Sequence, residues 1–208
     1  MHAYIFQLQT ETTAMSKASR NRLVNAIIFF AANTRACGKI KLFKLLYLLD
    51  FEHFRQTGKS VTGFQYQAWK FGPVPVDLME EWEDMGPDLA QSVQIIPTRI
   101  LNFDRLQVEV LPGVQFDEDD FSQRQLTIMQ TLVKRYKDTY SHQMIDVTHE
   151  QNGAWDKVWR DGHGSHDVIP YALSLGDDLP DREGFIDIAS RQAMYQSALE
   201  AARLSPDV

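Results

Sequence analysis

The chain has 208 residues, of which 44% are hydrophobic and 11% aromatic, enough for one compact domain with a large buried core. Its 28 Asp and Glu outnumber its 21 Lys and Arg, and the net charge of −7 argues against a protein that binds nucleic acid mainly by pairing with phosphates. A single cysteine, Cys37, excludes an intrachain disulfide and predicts a reducing compartment, the cytoplasm.

The N-terminal residues 1–20 form a polar lead-in without the features of a secretory signal, and Met15 leaves a second start codon open besides Met1. The most apolar stretch, residues 26–32, is much shorter than the roughly 20 residues that cross a bilayer. The sequence therefore predicts no membrane partner.

Two helices are predicted after the lead-in. Residues 22–36 are apolar nearly all round, which indicates a helix buried on most sides. Residues 39–56 repeat apolar side chains at intervals of three and four, the spacing of one helical face, and Gly58 ends that helix. The first turn, Lys39 to Lys41, is expected to be a solvated face, and Cys37 a small core or helix-end residue.

The next part of the chain predicts extended structure. Residues 60–71 are rich in turn and strand formers, and Gly72-Pro73-Val74-Pro75 cannot be helix interior because proline lacks an N–H. An acid-rich helix is predicted over residues 76–85. Residues 92–111 then alternate apolar and polar side chains, which predicts a small antiparallel β element with Pro97 at an edge or bulge.

The C-terminal half is predicted to be helical. Ser122 and Gln125 match a capping box, and Ser141 is expected to cap the following helix. The predicted helices span residues 122–137, 141–150, 154–160 and 182–204, the last with an apolar face that packs internally or dimerises. The fold class is α+β, mainly α-helical: a single helical domain over residues 21–205 with a small antiparallel β-hairpin insertion.

Motifs for nucleotide binding, for a serine nucleophile and for a zinc protease are missing from the sequence. His149-Glu150 begins like a zinc-protease helix but has no second histidine at the required spacing, and His163 with His166 leaves only a weak metal alternative. The sequence therefore predicts no catalytic residue, no cofactor and no metal. A DNA-binding helix-turn-helix joined at Cys37-Gly38 is a further alternative.

An aromatic and proline cluster stands beside the acid-rich helix. Trp and Tyr favour protein interfaces because one side chain buries a large area with little loss of entropy. The alternative is that these side chains fix the extended segment to the helical core. The cluster comprises Tyr66, Trp69, Phe71, Pro73, Pro75 and Trp82.

The order of Lys41-Leu42-Phe43-Lys44-Leu45-Leu46-Tyr47-Leu48-Leu49-Asp50, Thr62-Gly63 and Ala68-Trp69-Lys70-Phe71-Gly72-Pro73-Val74 resembles the Panacea domain, the SocA-like antitoxin domain of phage-associated proteins. The resemblance covers residues 21–159 and is firm over 39–85. It implies a mostly helical domain that neutralises a cognate toxin by direct contact. Some members present a partner to a protease, so an adaptor for a protease or unfoldase is the alternative function.

The resemblance identifies a family motif in this chain but leaves open whether the motif residues contact the partner or hold the fold. Lys44 and Asp50 could equally form an internal polar pair. From the residues themselves, the acidic stretches 77–84 and 117–120 are expected to steer a basic toxin. The motif residues are Lys44, Tyr47, Asp50, Thr62, Tyr66, Trp69, Gly72, Pro73, His149 and Trp155. The candidate partner-binding residues are Tyr66, Trp69, Pro73, Glu80, Glu81 and Asp84.

Overall fold

The structure, a computed structural model, describes residues 17–100, 103–150 and 153–175, together with 183, 184, 186 and 187. In this part of the chain helices predominate and two separate two-stranded antiparallel sheets accompany them. The mainly helical α+β class is therefore confirmed. The elements are α1 (Lys17–Asn33), α2 (Lys39–Thr57), β1 (Tyr66–Trp69), β2 (Gly72–Pro75), α3 (Val76–Glu81), α4 (Pro87–Ala90), β3 (Val93–Ile100), β4 (Phe103–Val110), α5 (Gln123–Tyr136), α6 (Ser141–Thr148) and α7 (Ala154–Trp159).

Helix α2 lies at the centre of the fold. It contacts α1, α5, α6, β2 and the 3-10 turn Tyr171–Ser174. Most of its side chains are buried, including polar ones, so the helix is enclosed and is not available to lie in a DNA groove. Gly58 ends α2 as predicted: it adopts φ 72°, and its N–H donates to the carbonyl of Phe54 over 2.8 Å.

Strands β1 and β2 form a hairpin within the segment for which the sequence predicted extended structure but no strand pairing. Tyr66 pairs with Pro75, and Trp69 pairs with Gly72 across the turn. On its other side, β1 is joined by an antiparallel bridge between Gln67 and Val168. A segment about a hundred residues downstream thus covers the free edge of β1.

Strands β3 and β4 form a longer hairpin, with Val93 opposite Val110 and Pro97 opposite Leu106. It is fixed to the connection between α1 and α2, because Val108 donates its N–H to the carbonyl of Cys37 over 2.8 Å. Cys37 itself is buried, as expected for a small core residue, and burial raises the pKa of its thiol.

Several helix boundaries in the structure differ from those predicted from the sequence. Helix α1 begins at Lys17, inside the predicted lead-in, and the acid-rich helix ends at Glu81, because the chain turns there into the short helix α4. The Ser122–Gln125 capping box is confirmed, whereas α6 is capped at Tyr140 and not at Ser141. The predicted helix over residues 182–204 lies outside the described residues except for 183, 184, 186 and 187.

The prediction of a solvated first turn of α2 is wrong for Lys41. Its side chain is buried, and Nζ donates to the carbonyls of Arg35 and Lys137 over 2.8 and 2.9 Å. These carbonyls follow α1 and end α5, where helix carbonyls lack partners. Lys41 therefore ties two helix ends together, a role that its sequence position gave no sign of.

Among the described residues, no helix combines the length and the apolar character that crossing a bilayer requires.

Candidate functional site

Asp50 is a fully buried acidic side chain of α2. Its carboxylate accepts hydrogen bonds from the N–H groups of Val61 and Thr62 over 2.7 and 2.8 Å. The hydroxyl of Thr62 also donates to it, and the hydroxyl of Tyr66 does so over 2.7 Å. The carboxylate thereby joins the middle of α2 to the segment that leads into β1.

Burial raises the pKa of Asp50, and the four hydrogen bonds oppose that shift. Burial likewise raises the pKa of Tyr66, as does the neighbouring Asp50 carboxylate. Tyr66 consequently keeps its proton and remains a donor to Asp50. The arrangement is a closed set of hydrogen bonds, with both carboxylate oxygens occupied.

Lys44 lies one and a half turns before Asp50 on α2 and is also buried. Its Nζ donates to the carbonyl of Pro73 in β2 over 2.9 Å, and burial lowers its pKa to about 7. Lys44 and Asp50 do not pair with each other: each is hydrogen-bonded to a different part of the extended segment. The alternative of an internal pair between them is therefore wrong.

The backbone of Gly72 packs closely against the side chains of Lys44 and Thr148. It adopts φ 98°, and a Cβ at this position would lie 2.8 Å from Lys44 Nζ and 2.8 Å from Thr148 Oγ1. Only glycine suits both this backbone conformation and this approach. The Gly-Pro step of the motif is thus packed directly against α2 and α6.

His149 and Trp155 support the same hairpin from α6 and α7. Their rings stack with centroids 3.6 Å apart and an interplanar angle of 3°, and Trp155 Nε1 donates to the carbonyl of Trp69 over 3.1 Å. Burial lowers the pKa of His149, with a smaller effect from Lys44. Its Nε2 is buried and has no hydrogen-bond partner in the described part of the chain, which agrees with a neutral ring.

The structure thus brings the motif residues together around one element, the β1–β2 hairpin. Tyr47 completes the group, with its ring centroid 5.4 Å from that of Tyr66. Its hydroxyl oxygen accepts a hydrogen bond from the backbone N–H of Trp155, and burial raises its pKa. The motif residues from α2, α6 and α7 lie behind the hairpin and hold it in place. We call Lys44, Asp50, Gly72, His149 and Trp155 the hairpin clamp.

The candidate partner-binding residues divide into buried and accessible ones. Tyr66 is only 1% exposed and Pro73 is buried, so their side chains face the clamp. Trp69 is half-buried, whereas Glu80 and Asp84 are exposed. Partner contact by these six residues stays a prediction.

Glu81 differs from its acidic neighbours because it is bound within the chain. Its carboxylate accepts from Arg20 Nη1 over 2.7 Å and from the N–H of Gly86 over 2.9 Å, and Asp88 accepts from the same guanidinium. The hydrogen bond from Arg20 lowers the pKa of Glu81. This network connects α1 to the end of α3 and to α4.

His163 and His166 are exposed, and His166 lies against Trp69 with ring centroids 4.9 Å apart. Across the described ranges, no group of three or more His, Cys, Asp or Glu side chains is placed to hold a metal ion.

Comparison with protein-family models matches residues 42–156, more than half of the chain, to the family described as "Antitoxin SocA-like, Panacea domain". The chain belongs to this family. The match runs from α2 into α7, so it contains all five residues of the hairpin clamp. Comparison with curated proteins gives no match, and comparison with solved structures gives none either.

Replacing Asp50 with Asn is expected to lower the free energy of unfolding of this Panacea domain by about 3 kcal/mol. The amide presents an NH2 group to buried donors that have no other acceptor. Urea unfolding followed by circular dichroism measures the change. Asp104→Asn, at an exposed position of β4, is the matched control and should change stability by less than about 0.5 kcal/mol. Equal stability of the two variants would contradict the role of Asp50.

Replacing Lys44 with Met is expected to change how stability depends on pH. With a folded pKa of about 7, below the ordinary value of 10.5, the folded state lacks a proton that the unfolded state binds between these pH values. Wild-type stability therefore gains a contribution that rises with pH from about 7 to 10, on the order of 1.4 kcal/mol per unit.

The methionine variant lacks this contribution, so its stability relative to wild type should fall across the same pH range. Urea unfolding at pH 7, 8, 9 and 10 measures the difference. Lys134→Met, at an exposed position of α5, should follow the wild-type profile. A constant difference between Lys44→Met and wild type would show that Lys44 is charged throughout.

Two glycine substitutions separate backbone strain from close packing. Gly72 and Gly113 have similar φ values, 98° and 87°, but a Cβ on Gly113 would meet no atom within 4 Å. Gly113→Ala should therefore cost about 1 kcal/mol from its conformation alone, and Gly72→Ala about 3 kcal/mol because it also displaces Lys44. Thermal unfolding measures both, and equal costs would argue against a tight contact between Gly72 and α2.

Proposed function

We propose that this chain is an antitoxin that neutralises a cognate protein toxin by direct protein–protein binding, and that it catalyses no reaction. The observation that carries the proposal is its membership of the antitoxin SocA-like Panacea family over residues 42–156. The cytoplasm remains its predicted compartment.

The chemistry of the motif supports a binding role. The polar groups that would otherwise suggest catalysis are engaged within the fold: Asp50 accepts four hydrogen bonds, and Lys44 donates to the Pro73 carbonyl. These side chains are buried, so they fix the backbone of the β1–β2 hairpin. A surface fixed before binding loses less conformational entropy when a partner docks, and this raises its affinity.

The exposed acids of α3 and the turn after it supply the electrostatic part of the proposal. Glu80 and Asp84 are exposed, and Glu83 pairs with Lys39 only across a solvated 3.7 Å contact. Exposed carboxylates of this kind accelerate the encounter with a basic partner and contribute less to its final affinity. Glu81 is excluded from this set because it holds Arg20.

Co-expression with the adjacent open reading frame tests the function. The expected result is that the adjacent product arrests growth by itself, that this chain restores growth, and that the two proteins co-purify. An adjacent product that stays toxic in the presence of this chain, and that does not bind it, would overturn the proposal.

Reversing the charges of Glu80 and Asp84 to Lys together should slow toxin association by about 10-fold at low salt, with less effect near 0.5 M salt. Stopped-flow or surface plasmon resonance measures the rates. The control is Asp104→Lys with Asp146→Lys, which changes the net charge equally at exposed positions on β4 and α6.

The single change Glu81→Lys serves a different purpose, since it should lower the melting temperature by breaking the network with Arg20. If the Glu80 and Asp84 reversal leaves the association rate equal to that of the control, the acidic surface does not steer the toxin.

A further inference from the structure

The β1–β2 hairpin has an outer face that turns away from the clamp. Side chains opposite each other on paired strands share a face, and the pairs of Gln67 with Val74 and with Val168 form one row across it. Trp69 lies two residues from Gln67 on the same face of β1 and contacts the ring of His166. The hairpin face, as we call Gln67, Trp69, Val74, Val168 and the turn residue Phe71, is therefore largely apolar.

Two of these side chains are unusually exposed for their size. Phe71, at the tip of the hairpin, is 59% exposed, and Val168 is 42% exposed. Both lie outside the motif. Exposed aromatic and aliphatic side chains on one hairpin surface are typical of an interface anchor and not of a solvated loop.

The backbone that carries Phe71 is held on both sides. Trp155 donates to the carbonyl of Trp69 before the tip, and Lys44 donates to the carbonyl of Pro73 after it. The N–H of His166 also donates to the carbonyl of Ala68 over 2.8 Å. Because these anchors leave the tip little freedom, Phe71 is presented to a partner in a fixed position.

Charge at the two ends of the hairpin differs in sign. Lys70 Nζ lies 5.8 Å from the centroid of the Phe71 ring, and within the described residues Lys70 makes no ion pair. The exposed acids Glu80 and Asp84 come after the other end of β2, in α3 and in the turn that follows it, and the four residues of β2 span about 13 Å. In chain order, the hairpin therefore has a lysine at its tip and carboxylates after its base, the end at which β2 runs into α3.

We propose that the hairpin face is the docking surface for the toxin, and that Phe71 enters an apolar pocket of the toxin bordered by carboxylates that meet Lys70. This inference rests on the proposed function and assigns it a surface. The hairpin clamp then serves to position Phe71, which gives the motif a purpose although most of it is buried.

The charge pattern favours a toxin over a second copy of this chain. A symmetric dimer centred on Phe71 brings the same patch of both copies together, so the two Lys70 ammonium groups would face each other. A different protein with carboxylates around its pocket meets no such repulsion, and the opposite charges at tip and base fix its orientation.

The test compares two equally exposed side chains. Phe71→Glu and Leu106→Glu place the same charge at positions that are 59% and 62% exposed on different hairpins. The probe is the purified product of the adjacent open reading frame. Binding by isothermal titration, rescue of growth and melting temperature are measured for both variants and for Phe71→Leu and Lys70→Glu.

Phe71→Glu should weaken binding by at least about 30-fold and lose growth rescue. Leu106→Glu should bind as wild type does, and both variants should melt as wild type does because neither side chain is buried. Phe71→Leu should retain binding within about 5-fold, and Lys70→Glu should slow association by about 3- to 10-fold.

The outcomes separate this inference from the proposed function. If wild type binds the toxin and Phe71→Glu binds it equally well, the hairpin face is not the docking surface, while the antitoxin function stands. If wild type neither binds nor rescues, both proposals fail. A wild-type dimer that Phe71→Glu converts to monomers without loss of toxin affinity would assign the face to self-association and overturn the inference.

Discussion

The fold of this chain depends on a charge that α2 carries into its own core. A buried carboxylate is costly unless donors surround it, and Asp50 is surrounded by two backbone N–H groups and two hydroxyls. The donors come from the segment that follows α2, so satisfying the carboxylate dictates the path of that segment. Because an arrangement without these donors would leave the buried carboxylate unpaired, Asp50 favours one path of the chain over the alternatives.

The other members of the clamp continue this arrangement toward the hairpin tip. Among the described residues, Lys44 Nζ donates to the Pro73 carbonyl, and its position leaves room only for a residue without a side chain at Gly72. On the far side, the stack of His149 on Trp155 aligns an indole N–H with the Trp69 carbonyl. Each contact is modest, but they act on Trp69, Gly72 and Pro73 around the turn of one short hairpin, and they therefore restrict it together.

The motif of this antitoxin-like family is mostly buried in the chain, so most of its side chains are not available to contact a partner. We infer that the buried motif is an internal frame that fixes the hairpin and leaves the exposed side chains around it to contact the partner. In this chain the frame ends at the Trp69 and Pro73 carbonyls, and the exposed side chains between them are those of Lys70 and Phe71. On this inference, specificity for the partner belongs to exposed residues outside the motif, such as Phe71, Lys70 and Val168.

The sequence by itself determined the class of the fold, the place of the β3–β4 hairpin, the extended character of the β1–β2 segment, the glycine stop of α2 and the capping box of α5. These features follow from local periodicity and from the backbone preferences of glycine, proline and serine. The family was also apparent, because its motif is dense between residues 41 and 74.

Only the tertiary structure decided what the polar residues do. Lys41 and Lys44 are both lysines on one helix, yet their partners are carbonyls of Lys137 and Pro73, at sequence separations of 96 and 29 residues. Glu81 and Glu80 are adjacent and chemically alike, but only Glu81 meets Arg20, 61 residues away. No local pattern encodes such distances, since these hydrogen bonds form between groups that only the packing of distant helices brings together.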